Sequence, residues 1–115
     1  MERGRYITIY YKYYRLLSLE ELKRLFSKMG NYLYGIQGSL DLGLYISWLH
    51  ESEPIAILRC SHSSIDKIFN ILYFISYLED RLINLIPIDV SGTIKNSKEI
   101  LSNEYLNRLK AKLSF

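Results

Sequence analysis

A chain of 115 residues with 49% hydrophobic and 23% charged residues fits one globular domain; it is too short for two, and its composition excludes a disordered or fibrous protein. The formal charge of +3 tolerates a polyanionic partner without demanding one. Its single cysteine, Cys60, excludes an internal disulfide, and His50 and His62 lack the companions that a structural zinc site needs.

Residues 5–15 are rich in Ile, Thr and Tyr and predict strand one. Alternation places Ile7, Ile9, Tyr11 and Tyr13 on one face and Tyr6, Thr8, Tyr10, Lys12 and Tyr14 on the other, wetter one. Lys12 and Arg15 interrupt the apolar run and no small-residue cleavage site follows, so the N-terminus does not resemble a signal peptide; the cytoplasm is the expected compartment. Ser18 and Glu21 form a reciprocal helix cap, and Leu19, Leu22, Phe26, Met29 and Leu33 recur at helical spacing, giving helix one to about Gly35. Gly35 and Gly38 end it.

From 40 to 50, Leu42, Leu44, Ile46 and Trp48 alternate with Asp41, Gly43, Tyr45 and Ser47 and predict strand two. "HESEP" turns the chain, and "IAILRC", residues 55–60, predicts a short strand three of the mid-sheet kind. Ser63 and Asp66 repeat the capping pattern, opening a helix two that extends to about Glu79 with Ile65, Ile68, Phe69, Leu72 and Ile75 toward the core. Ile71, Phe74 and Leu78 make a second apolar line on this helix, the expected partner-binding surface. Asn70 and Ser76 interrupt the longest apolar stretch, 68–78, which is too short to span a bilayer.

Residues 82–94 predict strand four, and Pro87 places it at a sheet edge because proline lacks the amide of a central strand. Asn96 and Glu99 open helix three, which carries Leu101, Tyr105, Leu106, Leu109 and Leu113 to the C-terminus. The order β α β β α β with an added C-terminal helix predicts one α+β domain over 1–115, a ferredoxin-like or RNA-recognition-like sandwich. Its four-stranded antiparallel sheet has the order 4-1-3-2, with helices one and two on one face.

The turn "SGTIK" lacks the glycine spacing and the adjacent lysine and hydroxyl of a P-loop. Gly92 permits a bend and Asn96 caps the helix; the first helix amides, beside Lys95 and Lys98, could also meet a single phosphate. Arg59 ends an otherwise apolar strand and must reach solvent, a carboxylate or a phosphate. The tyrosines of strand one, with Lys12 and Arg15, could stack bases on an open sheet face, unless helix three covers that face. Cys60 fits a buried strand position and His62 a helix entry, and no carboxylate pair or triad emerges.

The segments "ILRCSHSSIDKI" and "PIDVSGTIK", both beside helix starts, together with "RYITI" and the helix opened by "SLEEL", resemble the ribonuclease P protein component 2 family. These are the small protein subunits of archaeal and eukaryotic ribonuclease P, and the resemblance spans most of the chain. It implies a non-catalytic subunit of a ribonucleoprotein endonuclease, in which the RNA performs the hydrolysis that removes the 5′ leader during tRNA processing. It implies no cofactor in this chain, with any metal ions held by the RNA. The implied partners are ribonuclease P RNA, ribonuclease P protein component 3 and a second copy of the chain within a heterotetramer, with no membrane.

RNA-binding residues are then expected at Arg59, Lys95, Lys98, Lys12 and Arg15. The family segment after "SGTI" is typically richer in arginine and lysine; here "KNSKE" leaves that contact to Lys95 and Lys98. Two other classes share the topology. A small-molecule-binding regulatory domain is usually attached to an enzyme, and an acylphosphatase-like enzyme needs a glycine-rich cradle after strand one, where this chain has "YYRLLSLEE".

Overall fold

The computed structural model describes residues 3–113. In chain order the elements are β1 (Gly4–Lys12), α1 (Leu19–Leu40), β2 (Tyr45–Leu49), β3 (Ile55–Ser61), α2 (Ile65–Phe74), β4 (Tyr77–Leu78), β5 (Arg81–Leu82), β6 (Asn84–Ser91), α3 (Ile94–Glu99) and α4 (Asn103–Leu113). The main sheet has four strands in the order β2-β3-β1-β6, every neighbour antiparallel, which is the arrangement expected from the sequence. No described helix is long and apolar enough to cross a membrane.

On one face, Ile7, Ile9 and Tyr11 of β1 lie opposite Leu58 and Ala56 of β3 and join Leu22 and Phe26 of α1 and Ile68 and Leu72 of α2 in the core. The other face is closed as well. Thr8, Ile55 and Ile57 are fully buried there, α3 packs on β1 and β6, and α4 reaches the β2–β3 turn, where Lys110 meets Glu53 at 2.7 Å. Helix cover is therefore what β1 receives on both sides, and its tyrosines do not form an open base-stacking sheet.

The capping box of Ser18 and Glu21 opens α1 as expected. Gly35 interrupts that helix with a φ of 73°, which glycine adopts without strain, but helical turns resume to Leu40 and β2 starts only at Tyr45. A 3-10 turn over His62–Ser64 shifts the start of α2 from Ser63 to Ile65. At its other end α2 stops at Phe74, because Ile75 turns extended and is itself buried. The residues expected to finish this helix form the β4–β5 hairpin instead, with φ of 52° at Glu79 and 63° at Asp80 in its turn.

Edge strand β6 holds the exposed Pro87, as expected, and a bulge at Ile88 in its pairing with β1. Thr93, not Asn96, caps α3: its Oγ1 accepts the Asn96 amide at 3.2 Å. The predicted third helix is broken over 100–102, and Ser102 Oγ accepts the Tyr105 amide to start α4. Its expected run past Leu113 lies outside the described residues.

Truncating a core residue should be costly and truncating the exposed end of α2 should not. Leu58→Ala is expected to lose about 2–5 kcal/mol in urea unfolding, whereas Phe74→Ala should stay within about 0.5 kcal/mol. Equal losses would refute this division of the two surfaces.

Candidate nucleic-acid interface

Strand register assembles the candidate surface. Tyr45 pairs with Arg59, Arg59 with Tyr6 and Tyr6 with Ser91, so one row crosses all four strands at the end where β6 runs into the "SGT" turn. The two sequence segments that carry Arg59 and the lysines are thereby brought to the same end of the sheet. The next row on this face is Trp48, Ile57, Thr8 and Asp89.

Arg59 is half-buried, with its guanidinium carbon 5.8 Å from the centre of the Tyr45 ring. Lys98 places its ammonium 5.0 Å from the Trp48 ring centre. Both are within cation–π range, where an aromatic face steadies a cation without cancelling its charge. Lys95 stands exposed, and its contact with Glu99 is loose at 4.0 Å. Half-buried Asp89 is the acidic residue of the second row. The surface is basic and aromatic, suited to a phosphate backbone.

Lys12 and Arg15 are not brought there. Lys12 lies six residues beyond Tyr6, about 20 Å along β1, and donates to the carbonyl of Leu113. Arg15 is engaged on the helix side: it bonds Glu21 through both carboxylate oxygens, at 2.9 Å and 2.6 Å, approaches Glu79 at 3.5 Å and lies over the Tyr13 and Tyr14 rings. Its bonds to Glu21 hold the guanidinium even more firmly protonated and lower the Glu21 carboxyl to about 2. Arg15 is a structural tie between the end of β1 and the first turn of α1.

The α3 start is likewise engaged by its own Thr93, in a helix of only six residues.

Of the expected partner residues, Ile71 is fully buried in the core, Leu78 is half-buried in β4 and Phe74 is 61% exposed. Ile71 is thus corrected from a surface residue to a core one, because α2 is covered on the side that the sequence pattern left open. Tyr32, Tyr73, Tyr77 and Leu82 are strongly exposed and extend the apolar surface around Phe74. A groove of about 670 Å³ runs between α1 and the segment 74–79, and another of about 860 Å³ runs between α2 and β6.

Reading the sequence missed Tyr45 and Trp48 as supports for the cations. Strict alternation puts them on opposite faces, but the register shifts between Ile46 and Trp48, and the extra residue Ser47 turns the indole onto the face of Tyr45. A single strand carries no visible sign of that shift.

Comparison with known proteins agrees with this architecture. A sequence model of the Rpp14/Pop5 family matches residues 5–102. The chain is 35% identical over 100 residues to ribonuclease P protein component 2 of Methanococcus aeolicus, covering 85% of this chain and 71% of that protein. A chain of the yeast ribonuclease MRP structure, determined by cryo-electron microscopy, superposes with a TM-score of 0.63 at 12% identity, covering 94% of this chain and 95% of that one. That likeness bears on the fold.

The depressed Glu21 carboxyl fixes a pH dependence. Its folded value lies below the unfolded 4.5, so its stabilisation is fully present above 4.5 and is lost as pH falls through the folded value near 2. Glu21→Gln should therefore flatten the acid limb of the stability profile between those values, measured by urea unfolding at successive pH. An identical limb in both proteins would count against the Arg15–Glu21 tie.

Proposed function

The chain belongs to the Rpp14/Pop5 family, and from that premise we propose that it is a non-catalytic protein subunit of ribonuclease P, supporting the catalytic RNA that removes the 5′ leader from precursor tRNA. The observation that carries this reading is the basic and aromatic sheet end, where Arg59 and Lys98 lie over Tyr45 and Trp48 with Lys95 on the same α3 as Lys98. Contact of this kind is mainly electrostatic, releasing counterions from the RNA, while the particle's metal-assisted chemistry stays with the RNA.

Ribonuclease P protein component 3 is the proposed protein partner, docking at the groove beside Phe74 and Tyr77. Arg24 and Lys28 line that groove and make no ion pair among the described residues, whereas its acidic residues, Glu21 and Glu79, are engaged by Arg15. An acidic, apolar surface on the partner complements it. The hairpin is held for this role by the Tyr13 hydroxyl donating to the Leu78 carbonyl at 2.9 Å and by the Ile83 amide donating to Ser76 at 3.0 Å.

Binding to ribonuclease P RNA and to an unrelated structured RNA of equal length, followed across a salt series with component 3 present, tests the RNA contact. Tighter binding to the former is expected, and Lys95→Gln should reduce the salt slope by about one. Equal weak binding to both RNAs would refute the subunit reading, and an unchanged slope would remove Lys95 from the interface. Tyr77→Ser should weaken component 3 about tenfold by calorimetry; undiminished affinity would exclude the groove.

A further inference from the structure

The side chain of Arg59 occupies space that Gly4 leaves open. A Cβ on Gly4 would come within 2.6 Å of Nε, 2.7 Å of Nη2 and 2.9 Å of Cζ, so the guanidinium would have to move aside; at Gly43 a Cβ would make only ordinary contact with Nη1, at 3.5 Å. Gly4 lies opposite Ser61, so its missing side chain belongs to the same sheet face as Arg59. With the Tyr45 ring 5.8 Å from Cζ, the guanidinium is confined by backbone and an aromatic face.

That confinement is achieved without an anion. Among the described residues the Arg59 guanidinium makes no salt bridge and donates no hydrogen bond; its contact is with the Tyr45 ring. A half-buried guanidinium that no protein acceptor engages keeps its donors available to a ligand, and its planar fork matches two oxygens of one phosphate. Because the side chain is already restricted, less rotamer freedom is lost on binding.

We infer that Arg59 is a pre-formed fork for a single phosphodiester of the bound RNA, and that Gly4 is the positioning residue that leaves room for it. This rests on the RNA-binding reading above. The charge around the fork favours a polyanion over an isolated carboxylate, since Lys98 reaches over the adjacent row and Lys95 stands exposed on the same helix.

Affinity of the purified chain for ribonuclease P RNA, with component 3 present, tests it. Arg59→Gln should weaken binding about tenfold, and Arg59→Lys should recover only part of that because an ammonium cannot bridge two oxygens. Gly4→Ala should weaken binding severalfold in the native background and have no further effect in Arg59→Gln, the non-additivity of residues acting through one contact. Circular dichroism and component 3 affinity report whether each variant folds.

Additive losses, or an Arg59→Gln protein that binds RNA normally, would overturn the proposal. Loss of component 3 rather than RNA would overturn it too, assigning the fork to a partner carboxylate. If the native chain does not bind the RNA at all, the subunit reading itself fails.

Discussion

Two-sided burial of β1 is the constraint from which the rest follows. Ile7, Thr8 and Ile9 are consecutive and all fully buried, so both faces of the central strand must be covered. Helices α1 and α2 cover one face, and α3 and α4 cover the other. Among the described residues the buried Thr8 hydroxyl has no hydrogen-bond partner, a local cost that apolar burial around it has to offset. A sheet closed on both faces has only its ends and edges for recognition.

Those ends differ in chemistry. At the start of β1 the cross-sheet row sets Arg59 between Tyr45 and Tyr6, with Lys98 over the neighbouring Trp48. Beyond the other end of β1, Arg15 is consumed by Glu21 and Glu79, and the β4–β5 hairpin stands between two apolar grooves. Glu79 and Asp80 hold a left-handed turn with no glycine, strain that persists where the surroundings dictate a particular shape. One end suits an anion and the other an apolar partner. The proposed role, joining RNA to a protein partner, needs both kinds of surface, spaced so that neither obstructs the other.

Much of this was legible in the residues. Pro87 identified the edge strand, the alternation of β1 identified the core face, and Ser18 with Glu21 marked the start of α1, because these signals act within a few residues of themselves. Strand order followed from them. What escaped depended on tertiary context. Ile71 and Phe74 look alike in sequence, and only the packing around α2 buries one and exposes the other. Lys12, Arg15 and Arg59 form one basic set on paper, yet register separates the first two from the third. Gly4 gave no signal at all; its meaning comes from an arginine 55 residues away in sequence, across a strand pair (59 less 4).

The most direct test of the account is the initial rate of 5′-leader cleavage from precursor tRNA by ribonuclease P RNA with component 3, measured with and without this chain. The account predicts a severalfold faster rate when the native chain is added and a smaller gain with Arg59→Gln at equal concentration. A rate indifferent to the native chain, under conditions where it binds both RNA and component 3, would contradict it.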